Sequence, residues 1–117
     1  MNYKIINPEF ILANMMNNVD VVKQMIGMFL GQGQEDFQEL KQAIGKEDYA
    51  EIKSKAHHIK PTMEYIGASN IRLQFQDLES QAAANVAFAD IQQVFTKLEQ
   101  DFTLAMEELE DYASTLS

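Results

Sequence analysis

The feature that most narrows what this chain can fold into is an apolar stripe in its last third. Ile91, Phe95, Leu98, Phe102, Ala105, Leu109, Tyr112 and Leu116 are separated alternately by four and three positions. Residues so spaced line one face of an α-helix; in a strand they would be scattered over both faces. A long C-terminal helix is therefore predicted from about Val86 to Ser114. Asn85 is its expected N-cap, because a short polar side chain there accepts from exposed backbone N–H groups. Such a helix cannot hide its apolar face alone and needs partners of the same kind.

The rest of the chain supplies them. Val22, Ile26, Phe29, Phe37, Leu40 and Ile44 mark one helix, with Gly45 as the residue expected to end it. Gly31 and Gly33 each weaken its middle by about 1 kcal/mol relative to Ala, so a bend is allowed within what reads as one helix. Tyr49, Ile52, Ala56, Ile59, Met63 and Ile66 mark another, predicted to end near Gly67. A further helix, from about Ala68 to Ala84, buries Ile71, Phe75, Leu78 and Ala82. Ile71, Leu73 and Phe75 also alternate as a strand would, but Leu78 and Ala82 continue the helical stripe. Asn7-Pro8-Glu9 resembles a helix start, with Asn7 as cap and Pro8 at the first helical position, which predicts a short helix over about 8–16. Short connections favour antiparallel neighbours. The expected fold is all-α, an up-down-up-down antiparallel four-helix bundle with a short additional N-terminal helix, in one domain spanning residues 1–117. The methionines, Met25, Met28 and Met63 among them, are expected as flexible core filler.

Composition removes several classes of function. The absence of cysteine rules out disulfides, thiolate metal sites and cysteine nucleophiles together. No stretch approaches the roughly 18 uninterrupted apolar residues of a membrane span, and the first twenty residues lack a basic start followed by an apolar run, so a cytoplasmic location without membrane contact is expected. A net charge of -9 argues against nucleic-acid binding, which draws most of its affinity from Lys and Arg on phosphates. The charge is uneven, however. Residues 52–63 contain Lys53, Lys55, Lys60 and both histidines but no acid, whereas residues 99–111 contain Glu99, Asp101, Glu107, Glu108, Glu110 and Asp111 but no base.

No glycine-rich nucleotide loop, no G-x-S-x-G and no H-E-x-x-H is present. His57 and His58 are adjacent, and neighbours on a helix point about 100° apart, so they do not grip one metal as an i, i+4 pair would. No intrinsic cofactor is expected. With Ala56, Ile59 and Met63 facing the core, Lys53, His57, Lys60 and Glu64 form an adjoining stripe, and the His57 imidazole reaches solvent with a lysine one turn away on either side. A neutral imidazole nitrogen is a competent nucleophile toward phosphorus, and ammonium groups nearby stabilise the charge that arrives. Taken alone, the same spacing also fits a solvated surface histidine.

Around these residues the sequence resembles the histidine-containing phosphotransfer (HPt) family of multistep phosphorelays. Ala56-His57, Ile59-Lys60 and Gly67 follow that family's pattern of Ala-His-x-[Leu/Ile]-Lys with a glycine ten positions after the histidine, and Leu78-Glu79 matches its usual Leu-Glu pair. The resemblance implies that His57 is the phosphoacceptor, that Lys60 neutralises the phosphoryl group and that Gly67 permits close packing at the helix end. It also implies a phosphotransfer intermediate without an ATP-binding kinase domain of its own. The partners it implies are receiver domains of hybrid sensor kinases and response regulators, which bring the aspartate and the Mg²⁺; a monomer is expected. Pro61 departs from the pattern, standing where glycine is more usual, and a kink beside His57 is predicted because a mid-helix proline cannot donate to the His57 carbonyl. His58 is the competing acceptor, disfavoured because Pro61 rather than Lys60 lies three positions on. The alternative function is a bundle that docks receiver domains without carrying phosphate.

Overall fold

The last helix sets the length of the molecule. Phe88–Thr115 forms 28 residues of unbroken α-helix, which at 1.5 Å per residue spans about 42 Å, against principal extents of 45 × 22 × 20 Å. Its stripe is the core: Ile91, Phe95, Leu98, Phe102, Ala105, Leu109 and Tyr112 are all buried. The computed structural model describes residues 3–116, and every regular element among them is helical. In chain order these are α1 (Pro8–Asn14), α2 (Val19–Met28), α3 (Gln34–Gly45), α4 (Tyr49–Tyr65), α5 (Ser69–Ala83) and α6 (Phe88–Thr115). Residues 1–2 and 117, the ends of the predicted domain, lie outside the described residues.

Successive helices pack side by side, α3 on α4, α4 on α5 and α5 on α6, and α2 closes against α6. At the centre, the Phe37 ring stacks on Phe102 at 4.2 Å and on Phe95 at 5.6 Å, and meets Phe75 edge-on at 6.5 Å. Such pairs add about 0.5–1.5 kcal/mol each beyond the area they bury, and they pin α3, α5 and α6 together. α2 runs into α3 through a π-helical turn, Phe29–Gly33, without a break. Gly33 lets the Phe29 ring lie close across the turn: a Cβ there would sit 3.0 Å from the ring, which would have to shift by a few tenths of an ångström.

Four helices end alike, each with a residue in the left-handed region and the double hydrogen bond of a Schellman motif. After α1 it is Met16 (φ 55), with Met16 N–H donating to Ala13 and Asn17 N–H to Leu12. After α3 it is Glu47 (φ 53), with Glu47 N–H donating to Ile44 and Asp48 N–H to Ala43. After α4 it is Gly67 (φ 70), with Gly67 donating to Glu64 and Ala68 to Met63. After α5 it is Asn85 (φ 54), with Asn85 donating to Ala82 and Val86 to Gln81. Gly45 is the last residue of α3, as expected, with the left-handed turn two residues later on Glu47. One expectation is corrected here. Asn85 closes α5 rather than opening α6, because a short polar side chain also tolerates the left-handed conformation; α6 is instead capped by extended Ala87.

The N-terminal segment returns across the bundle to α6. The Glu108 carboxylate, buried, accepts from the backbone N–H groups of Lys4, Ile5 and Ile6 at 2.9, 2.9 and 3.1 Å. Tyr3 donates to Asp111 at 2.7 Å, a hydrogen bond that pushes the phenol up to about 12. Asn7 then caps α1 by accepting from Phe10 N–H, with Pro8 at the first position as expected. The helix is shorter than predicted, ending at Asn14, because Met16 and Asn17 turn left-handed.

Candidate functional site

α4 exposes its histidines because its other face is committed to the core. Asp48 caps the helix by accepting from Glu51 N–H, and Ile52, Ala56, Ile59 and Met63 are buried. That leaves the His57 side chain 70% exposed, on the stripe with Lys53, Lys60 and Glu64. Pro61 does not end the helix, which continues to Tyr65.

The stripe is not as basic as its own residues suggest. Neighbouring helices bring an acid to most of the basic side chains of this part of α4. Glu39 of α3 meets Lys55 at 2.9 Å, Asp36 of α3 meets His58 Nε2 at 3.4 Å, and Glu79 of α5 serves both His57 and Lys60. Glu64 turns away from the histidine and pairs with Arg72 of α5. Lys53 stays exposed.

The geometry at Glu79 is the most informative. One carboxylate oxygen, Oε2, lies 3.1 Å from His57 Nδ1 and 3.3 Å from Lys60 Nζ, and Gln76 Oε1 accepts from the same ammonium at 2.8 Å. The Glu79 and Lys60 side chains are only 16% and 19% exposed, so both are held rather than sampling solvent. A carboxylate can only accept, so the Nδ1 beside it is the donor, and in the neutral imidazole that leaves the lone pair on Nε2. Nε2 has no hydrogen-bond partner among the described residues. His58 has the opposite arrangement: Nε2 faces Asp36, and the nitrogen left over is the one nearest its own backbone. In the sequence Glu79 stands out only as half of a Leu-Glu pair, and Gln76 and Asp36 carry no signal.

Beyond His58 the surface continues into an apolar groove between α2, the π turn and the end of α4. Asp36, which meets His58, and Thr62 line it together with Met25, Met28, Phe29 and Tyr65. Met28 is 73% exposed, which corrects its expected place in the core: Val22, Ile26 and Phe29 take the inward face, and Met28 falls beside it. Among the described residues, no cluster of three or more His, Cys, Asp or Glu is placed to hold a metal ion, and no helix is long and apolar enough to cross a membrane.

At the surface of this helical bundle, His57 thus presents one imidazole nitrogen without a protein partner, with an anchored lysine beside it. The family model of the Hpt domain matches residues 24–116, and the chain belongs to that family. The family serves histidine phosphotransfer in phosphorelays, and its members interact with receiver domains. No curated protein sequence matches the chain. Among solved structures, histidine-containing phosphotransfer protein B (HptB) from Pseudomonas aeruginosa PAO1 matches with a TM-score of 0.86 at 14% identity, over 97% of this chain and 98% of that one. At that identity the likeness is one of fold.

Proposed function

We propose that this chain is a phosphorelay carrier that takes a phosphoryl group onto His57 Nε2 from the phosphoaspartate of one receiver domain and gives it to another. The observation that carries the proposal is the shared Glu79 oxygen. It leaves His57 with an unengaged Nε2 at the surface and holds Lys60 one turn away. Attack by Nε2 needs only a positioned nucleophile and a cation for the arriving charge, since the receiver supplies the aspartate and Mg²⁺. In this reading residues 1–117 act as one monomeric domain, and α2 with α3, α4, α5 and α6 form the up-down-up-down bundle. Lys53 lends charge from the exposed end of the stripe, Glu64 steadies the α4–α5 pair through Arg72, and Pro61 keeps the surface beside His57 low.

The test is direct. The wild-type chain mixed with a phosphorylated receiver should gain an acid-labile, base-stable phosphoryl group. Tight receiver binding with no phosphoryl uptake from any receiver would favour a docking module that carries no phosphate. Lys60→Ala should remain folded by circular dichroism yet accept phosphate roughly tenfold more slowly, equivalent to about 1.4 kcal/mol of barrier. Unchanged single-turnover rates would remove Lys60 from the mechanism.

The groove is the seat we assign to the receiver, because it continues from the histidine pair through Asp36 and Thr62 and leaves Met28 in solvent. Met28→Glu places a charge in the lining of that groove without touching the core. Transfer from a receiver should fall about tenfold or more, the loss expected when a charge is buried unpaired in an interface, whereas uptake from the small donor phosphoramidate should not change. Equal losses with both donors would count against docking there.

A further inference from the structure

We infer that Glu79 is a positioning residue that keeps the Nδ1 proton on His57 while the imidazole carries phosphate, so that the relay moves a phosphoryl group without moving a proton. The inference rests on His57 being the acceptor and extends to the state in which it is loaded.

The chemistry of an N-phosphorylated ring makes this matter. In the first step the Nε2 lone pair forms the N–P bond, the P–O bond to the receiver aspartate breaks, and its electron pair stays on that carboxylate. The ring had one proton, on Nδ1, and keeps it. The product is an imidazolium bearing a phosphoryl dianion, so the two negative charges of the acyl phosphate become one on the freed aspartate and a net one on the loaded histidine. If Nδ1 then lost its proton to water, the ring would be a poor phosphoryl donor, because breaking the N–P bond would expel an imidazolate. With the proton retained, a receiver carboxylate attacks phosphorus, the N–P electron pair returns to Nε2, and a neutral imidazole leaves. His57 and its Nδ1 proton are back where they began, and only the phosphoryl group has moved.

Retention needs a negative group fixed against Nδ1, since an opposite charge within a few ångströms favours the protonated form. Glu79 Oε2 sits there at 3.1 Å on a side chain 16% exposed. The other charged groups around the ring do not compete for this position. On α4, Lys53 is exposed and Lys60 is itself tied to Glu79 and Gln76, while Glu64 is taken by Arg72. From α3, Asp36 and Glu39 face His58 and Lys55. From α5, Glu79 alone reaches His57, with Gln76 and Ser80 as neutral neighbours bonded to each other.

The experiment compares wild type with Glu79→Gln, which keeps the shape and an acceptor oxygen but loses the charge. Onward transfer from loaded His57 to a receiver is measured between about pH 6 and pH 8.5. The wild-type rate should stay nearly flat to about pH 8. The variant should fall toward tenfold per pH unit in the upper part of the range, because each unit above a group's pKa removes about nine-tenths of its protonated form. Freeing Lys60 from Glu79 changes the height of the profile, not its slope. Superimposable profiles would overturn the inference. A second readout stands apart from the relay itself: protein loaded with phosphoramidate is titrated by ¹⁵N NMR, and Nδ1 should hold its proton to higher pH in wild type than in Glu79→Gln. If receivers never load His57, the phosphorelay reading fails while this titration still judges Glu79; equal titrations refute the role of Glu79 whatever the receivers do.

Discussion

His57→Gln should take up no measurable phosphate from a phosphorylated receiver, at least a thousandfold below wild type, while melting within about 2 °C of it. The two halves of this expectation have separate causes. An amide nitrogen has no available lone pair for phosphorus, so removing the imidazole removes the nucleophile itself, and the effect is of the size seen when a covalent catalyst is deleted. Stability should hardly change, because the His57 side chain is 70% exposed and the α4 face that carries the core is Ile52, Ala56, Ile59 and Met63. The glutamine amide can also donate to Glu79 in place of Nδ1–H. Rapid-quench labelling with acid and base stability of the product checks the first half, and a thermal melt the second. His58 is the informative control. Its Nε2 is engaged by Asp36 at 3.4 Å, and the bonds of Lys60 run to Gln76 and Glu79, so His58→Gln should transfer nearly as wild type. Full transfer by His57→Gln together with loss in His58→Gln would move the acceptor to the neighbouring residue.

What the sequence made legible was local. Apolar spacing of three and four is a property of a single segment, and it placed every residue of the α6 stripe from Ile91 to Tyr112 inside. It also chose helix over strand for Ile71 to Phe75, where Leu73 is 52% exposed on the face opposite the fully buried Ile71 and Phe75, whereas a strand would have put all three on one face. The weak glycines Gly31 and Gly33 marked the right place, and packing supplied the outcome: a π turn that lets the Phe29 ring lie across Gly33. What stayed hidden was anything that depends on how one helix is rotated against another. Glu79 stands 22 positions from His57 and meets it only through the register of α4 on α5. Asp36 and Glu39 reach the same helix from the other side by the register of α3. The acid-free run of residues 52–63 is therefore basic in sequence and largely compensated in space, which leaves an anchored lysine and a histidine whose Nδ1 faces a carboxylate rather than an open cationic stripe. Glu108 was hidden for the same reason. It sits in an acidic run that reads as a solvated face, and only the return of residues 4–6 turns it into a buried acceptor of three backbone N–H groups.

Gly67→Ala should destabilise the chain by roughly 2–4 kcal/mol, lowering the melting temperature by about 10 °C or more, the largest stability change expected of any single methyl group in this chain. Two costs add at this position. Gly67 has φ 70, which an alanine adopts only at roughly 1–2 kcal/mol because its Cβ crowds the carbonyl oxygen. The new Cβ would also lie 2.7 Å from Asn7 Cβ and 3.3 Å from Asn7 N, so the backbone around Asn7 has to move. That segment is not free to do so cheaply. Asn7 N–H donates to Ile66 O at 3.1 Å, the Asn7 side chain caps α1, and Ile6 beside it is buried and bonded to Glu108. The strain should therefore appear as faster amide exchange in residues 4–11 as well as in the global melt. Gly45→Ala is the matched comparison. Nothing lies within 4 Å of its would-be Cβ and its backbone is helical, so the substitution should be neutral or stabilising by up to about 1 kcal/mol. A Gly67→Ala protein that melts within about 2 °C of wild type, with unchanged exchange in residues 4–11, would mean that the contact between the end of α4 and the N-terminal segment is not the tight one described here. Below its melting temperature the variant should still load His57, because His57, Lys60 and Glu79 sit two or more turns away along α4 and α5 and make no bond to Asn7.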